Sequence, residues 1–220
     1  MLLRAGGRAP TVRGVEDILR AERLTAVRRF RALDDEDWER PSLCAGWRTR
    51  EVLAHMITPF EVSLPRMVLS MVRHRGPSGA MDAWARSLGE RDTAELVDVL
   101  EANAGSTFHA PGLPLAASLT DVLVHSVDVL WALAGYASVD HVDPAHVRPS
   151  LAFLTTPRAV GPFLPRGRLD GVRLEATDVD LAHGTGDVVA GPALALVAGA
   201  CGRAPAYDLL DGPGVARWRG

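Results

Sequence analysis

The chain contains one helix-length stretch that decides its fold, SLTDVLVHSVDVLWAL at residues 118–133. At about 100° per residue, Asp121, His125 and Asp128 fall within an arc of about 60°, and apolar side chains occupy most of the remaining cylinder. An ordinary surface helix has a wider polar face that usually includes arginine or glutamate. The narrow polar line therefore predicts half of a metal site on a helix inside a bundle.

The spacing of two of these residues suits a shared ion. A carboxylate and an imidazole four positions apart on a helix have Cβ atoms about 5–6 Å apart, so Asp121 and His125 can bind the same cation. Asp128, one turn further on, is predicted to be either a plain structural acid, which we favour, or a hydrogen-bond acceptor that supports His125. It could also hold the turn around Trp47.

A third ligand is expected from an earlier helix, where His55 lies in the apolar segment VLAHMI at residues 52–57. The alternative for a lone histidine in such surroundings is a hydrogen-bonded core residue. With Asp121 and His125 it would supply three ligands and leave a fourth position open, which is typical of a catalytic zinc site. Two histidines and a carboxylate also suit ferrous iron. We expect the remaining histidines to be exposed or in turns, namely His74, His109, His141, His146 and His183.

Composition limits the class of protein. The 220 residues are 47% hydrophobic and carry a net charge of −3, with arginine as the only basic side chain apart from histidine. The basic cluster at 28–31 is followed by acidic residues, so we expect a solvated face and no nucleic-acid partner. No apolar run approaches a membrane span and residues 1–8 lack a signal peptide, so we expect no membrane partner and a cytoplasmic location.

The two cysteines, Cys44 and Cys201, are isolated and far apart in the sequence. This spacing predicts neither a disulfide framework nor a cysteine-based zinc site. Each is expected to be a small buried thiol.

Hydrophobic periodicity predicts four main helices with short to medium connections, which favours a four-helix bundle. The first helix is expected at about 15–33, and the second runs from a cap at Thr49 to 71 with a bend near Pro59 and Pro65. The third is expected at 80–104 with a break near 89–92, and the fourth runs from 115 to a C-cap at Gly135. A shorter helix is expected at 144–155.

Composition changes after residue 156, where 157–167 is rich in proline and glycine and predicts a linker. Beyond it, alternation over 172–179 predicts a half-exposed strand, 188–190 a second strand, and 191–200 an apolar helix. The sequence therefore predicts a mainly α chain with two units, a metal-binding bundle at 1–156 and a small α+β unit at 167–220.

Two segments resemble a known family. LDDEDWERPSLCAGWRTREVLAH at 33–55 is similar to the entry motif of the mycothiol-dependent maleylpyruvate isomerase family, and Asp121, His125 and Asp128 match its later helix signature. The stretches at 174–180, 186–193 and 202–206 resemble the family's C-terminal domain. The resemblance implies a DinB-like metal-dependent bundle in which His55, Asp121 and His125 bind the metal.

The same resemblance implies an enzyme from an actinobacterium with mycothiol as cosubstrate and a divalent ion, zinc by expectation. Such an ion would deprotonate a thiol for attack on a small electrophile. Arg203 is the candidate to bind a substrate carboxylate, and its alternative is a surface arginine that caps a helix. Two departures stand out, because the family's isomerase has glutamate at the position of Asp121, and Arg48 replaces a capping threonine.

Two other classes remain open at this stage. One is a non-catalytic bundle that binds a metal or small ligand, with regulation as one possible role, and the replacement of glutamate by Asp121 favours this class. The other is a purely structural bundle, which would require the polar stripe to face solvent. Neither the electrophile nor the choice between monomer and homodimer follows from the sequence.

Overall fold

The computed structural model describes residues 12–139 and 142–220. The first part of the chain is helical, and it includes a short helix, α2, between the first two predicted helices. The elements are α1 (Val12–Phe30), α2 (Asp35–Glu39), α3 (Thr49–Glu61), α4 (Leu64–Arg73), α5 (Pro77–Gly89), α6 (Thr93–Ala102), α7 (Leu115–Ala134) and α8 (Pro144–Leu154).

Four of these helices form the predicted bundle. α1 packs on α7, α7 on α3, α3 on α6, and α6 on α1, so the four enclose one apolar interior. The predicted second helix is α3 followed by α4, with Pro59 inside α3 and Pro65 in the first turn of α4. The predicted third region is α5 and α6, separated at residues 90–92, which confirms the expected break.

The start of α3 differs from the prediction that Thr49 caps it. Arg48 is the N-cap, and its backbone N–H donates to Glu51 Oε2 at 2.7 Å. Thr49 is already the first helical residue, and its buried hydroxyl has no hydrogen-bond partner among the described residues. The cap is therefore supplied by the glutamate three residues on, which satisfies a backbone donor that the arginine side chain cannot.

α7 is the central core helix of the described chain. By length and composition alone it is apolar enough to cross a membrane, with a mean hydropathy of 1.3, although Asp121, His125 and Asp128 interrupt its apolar run. Within the structure, 56% of that window is buried against the other helices. Its apolar side chains are therefore explained by packing inside the bundle.

The C-terminal part contains a three-stranded sheet and two further helices. β1 (Val172–Ala176) lies between β2 (Ala182–Gly184) and β3 (Asp187–Gly191), antiparallel to β2 and parallel to β3, and α9 (Ala193–Ala200) and α10 (Val215–Arg219) follow. The sequence predicted β1 and β3 but placed His183 in a turn, whereas it lies in β2. A strand of three exposed or half-exposed residues carries too short a pattern to be recognised.

The apolar core is continuous between the two parts. α9 packs against α8 and α7, and the buried cluster includes residues from both sides of the expected linker. Within that linker, Ala159 and Leu164 are almost fully buried and anchor the segment to the core, while most of residues 157–167 are exposed. This packing brings a loop after α9 close to the polar stripe of α7.

Candidate metal centre

Three side chains from two helices meet inside the bundle. His55 Nε2 of α3 lies 3.4 Å from Asp121 Oδ1 of α7, and His125 Nε2 lies 3.5 Å from the same oxygen. One ligand atom from each residue lies within 4.8 Å of the others. Zinc–ligand bonds of about 2.0–2.1 Å in a tetrahedron place neighbouring donors about 3.3–3.4 Å apart, so these positions fit a single cation.

The shorter carboxylate reaches both imidazoles because α3 and α7 are in direct contact. The rings of His55 and His125 stack edge to face with centroids 4.7 Å apart, and Asp121 lies one turn before His125. The side chains of His55, Asp121 and His125 are 16%, 30% and 10% exposed, so the cluster is partly accessible to solvent, mainly at Asp121. Three ligands with an accessible side leave room for a fourth group.

The electrostatics of Asp121 favour the charged form. Burial alone would raise the pKa of this carboxyl, but His125, His55 and the nearby Arg23 together hold it below its usual value. A carboxylate ligand must be deprotonated to bind a cation. Asp121 is therefore available as an anionic donor at neutral pH.

Asp128 contacts the ring nitrogen of His125 that does not face Asp121. Its Oδ2 lies 2.9 Å from His125 Nδ1, and the residue is fully buried. When Nδ1–H donates to this carboxylate, the lone pair of Nε2 points to the cluster with Asp121, which is the tautomer a metal ligand needs. The geometry supports the acceptor role beside the structural role that we favoured, because the same carboxylate forms a buried ion pair with Arg203. The backbone carbonyl of Asp128 also accepts from Leu43 N at 2.9 Å, close to the turn at Trp47.

Arg203 joins the C-terminal part to this arrangement. Its Nε and Nη2 donate to the two oxygens of Asp128 at 2.8 and 2.6 Å, and its Nη1 donates to the carbonyl of Cys201 at 2.7 Å. The side chain is 17% exposed, so it is not a surface arginine, although one bond does go to the end of α9. The geometry orients Arg203 towards Asp128, and its contact with a substrate carboxylate stays a prediction.

Trp47 covers one side of the two histidines. Its ring centroid lies 5.0 Å from that of His55 and 6.2 Å from that of His125, and its Nε1 donates to Asp82 Oδ1 at 2.8 Å. The sequence analysis did not include Trp47 or Asp82 among the site residues. The Gly-Trp turn directly before α3 was the available signal for the tryptophan, whereas nothing in the pattern of α5 marks Asp82.

The cysteines are free, and both are poor nucleophiles here. Burial raises the pKa of Cys44 to about 11 and that of Cys201 to about 12, with the charge of Asp128 adding to both. Cys201 is buried as predicted, while Cys44 is half-buried. Both thiols are protonated at neutral pH, so a reacting thiol would have to come from a bound small molecule.

The other histidines that the structure describes are not part of this cluster. His74 and His109 are exposed as predicted, whereas His141 lies outside the described residues. The prediction for His146 was wrong, because this half-buried side chain lies 2.7 Å from the carboxylate of the buried Glu22. In the basic cluster at 28–31, Arg28 and Arg31 are exposed as predicted, Arg29 is half-buried, and Phe30 packs into the core.

One solved structure with a similar fold is the mycothiol-dependent maleylpyruvate isomerase. It matches this chain with a TM-score of 0.60 and 14% sequence identity over 93% of each chain. A histidine-to-alanine mutant of a mycothiol-dependent maleylpyruvate isomerase matches with a TM-score of 0.59 at the same identity and coverage. At this identity the likeness shows the shared fold. No curated protein matches the chain.

A family model covers the segment that carries all three candidate ligands. The model for the mycothiol maleylpyruvate isomerase N-terminal domain matches residues 19–130, which is more than half of the chain. The match begins in α1 and ends in α7, so it includes the bundle and both ligand-bearing helices. The chain therefore belongs to the mycothiol maleylpyruvate isomerase family.

Proposed function

We propose that this protein is a metal-dependent thiol transferase or isomerase that uses a low-molecular-weight thiol, mycothiol by family, on a small electrophile. The observation that carries the proposal is the convergence of His55, Asp121 and His125 on one point with an accessible side. A structural zinc site would be closed by a fourth protein ligand. Three donors with solvent access suit a site where a thiol occupies the remaining position.

A divalent cation, by expectation zinc, held by the three side chains would lower the pKa of a thiol placed beside it. The protein's own contribution is to fix the donors before the thiol arrives. Asp128 holds the tautomer and orientation of His125, and Arg203 holds Asp128 through both carboxylate oxygens. Trp47 excludes water from one face of the histidines.

The proposed reaction is addition of the thiolate to the β carbon of a carbon–carbon double bond that is conjugated with a carbonyl. A sulfur–carbon bond forms while the electron pair of the double bond moves towards the carbonyl oxygen. Rotation about the resulting single bond and return of the electron pair expel the thiolate and give the trans isomer. Protonation before expulsion would instead leave an S-conjugate, so the same site serves an isomerase or a transferase.

The two units contribute differently to this proposal. The bundle, which we assign to 1–156, supplies the three ligands, whereas the unit assigned to 167–220 supplies Arg203. Because Arg203 reaches Asp128 from the loop after α9, the C-terminal unit is part of the site and does more than cover the bundle. A role of Arg203 in binding a substrate carboxylate remains a proposal beside its contact with Asp128.

The experiment begins with metal analysis of the purified protein and of His125→Ala, with His109→Ala as a control on an exposed histidine. We expect about one equivalent of metal in the parent and in the control, and little in His125→Ala. A thiol-dependent assay then uses mycothiol and simpler thiols with maleylpyruvate and other small electrophiles. Metal without turnover would support the rival function, a non-catalytic metal-binding bundle, and a full metal equivalent in His125→Ala would contradict the site.

A further inference from the structure

Arg23 of α1 is a second arginine near the candidate metal centre, and it differs from Arg203 in its partners. The residue is only 3% exposed. Its Nη1 donates to three backbone carbonyls at the end of α6 and in the loop beyond, those of Asn103 at 3.2 Å, Ala104 at 3.3 Å and Ser106 at 2.5 Å. These bonds fix the direction of the guanidinium plane.

The charge of Arg23 has no direct counterion in the described part of the chain. No carboxylate lies within salt-bridge distance of it, whereas Arg203 and Arg48 each pair with a buried acid. A buried cation that is bonded only to carbonyl dipoles is costly, so an anion that binds beside it gains a strong interaction. Burial accordingly lowers the pKa of Arg23, an effect that the charge of Asp121 opposes.

Two observations place Arg23 beside the metal ligands. Its guanidinium carbon lies 5.2 Å from the centre of the Phe60 ring, and Phe60 stands on α3 five residues after His55. The charges of Arg23 and Asp121 also act on each other although the two do not form an ion pair. The arginine therefore borders the ligand cluster from the side of α1.

The unpaired edge of the Arg23 guanidinium has the geometry that binds a carboxylate through two parallel hydrogen bonds, which we call the fork. All three of these bonds use Nη1, so Nε and Nη2 are without an acceptor among the described residues. These two nitrogens form the edge that binds the two oxygens of a carboxylate in parallel. Arg203 uses the same edge, but it is already occupied by Asp128.

We infer that Arg23 is a specificity-determining residue that binds a carboxylate of the electrophilic substrate. This inference rests on the proposed function, and it assigns a carboxylate of the electrophile to a residue of α1. The role of Arg23 stands beside that proposed for Arg203, whose Nε and Nη2 are already bound to Asp128. If the three carbonyl bonds were its whole purpose, Arg23 would stabilise the loop at 103–106 and have no effect on ligands.

The test is calorimetric binding of maleate, a dicarboxylate, and of maleamide, its uncharged diamide, to the full chain with and without zinc. We expect maleate to bind and maleamide to bind at least tenfold more weakly. Arg23→Met should weaken maleate binding by at least tenfold in both metal states, because it keeps the volume and removes the fork. Arg20→Met, on the exposed face of the same helix, is the matched control and should bind as the parent does.

Three outcomes would overturn the inference: no maleate binding by the parent, equal binding of maleate and maleamide, or unchanged maleate affinity in Arg23→Met. If Arg23→Met does not fold, Arg23→Lys serves as the second variant, because lysine keeps the charge but cannot form two parallel hydrogen bonds. We expect Arg23→Lys to bind maleate several-fold more weakly than the parent. Unchanged affinity in this variant would contradict the two-hydrogen-bond contact. The metal-free measurement separates the two proposals. If the protein binds no metal, the proposed function fails, but the effect of Arg23→Met on maleate affinity can still be measured. If the protein binds metal but not maleate, only the inference about Arg23 fails.

Discussion

Arg203 binds both carboxylate oxygens of Asp128, at 2.8 and 2.6 Å, across 75 positions of sequence. The other contact of that carboxylate is His125 Nδ1. An arginine from the C-terminal part, a buried acid and a candidate metal ligand therefore form one continuous chain of charge-assisted hydrogen bonds. The orientation of His125 depends on a residue that lies outside the bundle.

Replacement of Asp128 by asparagine tests this chain of bonds. The amide keeps the volume but removes the charge that holds the tautomer of His125, so we expect metal affinity to fall by about 10–100-fold. Competition with a chelating dye measures the affinity. Asp98→Asn, which alters an exposed acid on α6, should bind as the parent does, and equal affinity in Asp128→Asn would show that His125 needs no support.

Arg203→Met leaves Asp128 as an unpaired buried carboxylate. Breaking a buried ion pair from one side costs about 3–5 kcal/mol in the free energy of unfolding. Arg217→Met, which removes an exposed pair with Asp187, should cost no more than about 1 kcal/mol. Denaturant unfolding measures both values.

Because Arg203 and Asp128 form an ion pair, we expect the losses in the free energy of unfolding of their single variants not to add in the double variant. Arg203→Met combined with Asp128→Asn should lose less stability than the sum of the single losses, because the neutral amide needs no counterion. A strictly additive result would mean that Arg203 and Asp128 stabilise the fold independently. Denaturant unfolding of the double variant decides between the two.

Asp121→Glu and Asp121→Asn test the carboxylate ligand. The glutamate keeps the charge, and it is the residue that the family's isomerase is expected to have there, so about one equivalent of metal should remain. The asparagine removes the anionic donor shared by His55 and His125, so metal content after dialysis should fall sharply. Full occupancy in Asp121→Asn would show that the two histidines suffice.

We expect the free energy of unfolding to fall in acid because of the buried carboxyl group of Glu51. Burial would raise the pKa of this carboxyl, but the Arg48 side chain and backbone N–H hold it below its usual value. The folded state thus binds fewer protons than the unfolded state near pH 4.5, so this contribution is complete above that pH and is lost as the pH falls through the lowered pKa.

Glu51→Gln should therefore flatten the acid side of the stability profile and cost about 1–3 kcal/mol at neutral pH. Glu90→Gln is the control, since this acid is 74% exposed and lies 3.5 Å from the same arginine. The free energy of unfolding measured from pH 7 to pH 3 checks the prediction. Parallel profiles for Glu51→Gln and the parent would contradict it.

The helices were predictable because their information is local. Apolar spacing located α1, α3 and α7, the charged and glycine-containing stretch at 89–92 separated α5 from α6, and Gly135 ends α7 with a positive φ of 75°. The short elements α2 and β2 were missed, because five and three residues are too few to show a period. The cap of α3 was misassigned because Thr49 was expected to provide the capping hydrogen bond at the start of the helix. The Glu51 side chain provides one instead, by accepting from the backbone N–H of Arg48.

The sequence by itself determined a helical bundle with Asp121 and His125 on one line of α7, since a helix turns by a constant angle and side chains four positions apart must be neighbours. Only the tertiary structure brought His55 to within 3.4 Å of Asp121, placed Arg203 on Asp128, and left Arg23 buried beside the same cluster with no acid of its own. These distances depend on how α1, α3 and the loop after α9 pack against α7. Packing of separate elements follows from side-chain shape across the whole core, which no local pattern encodes.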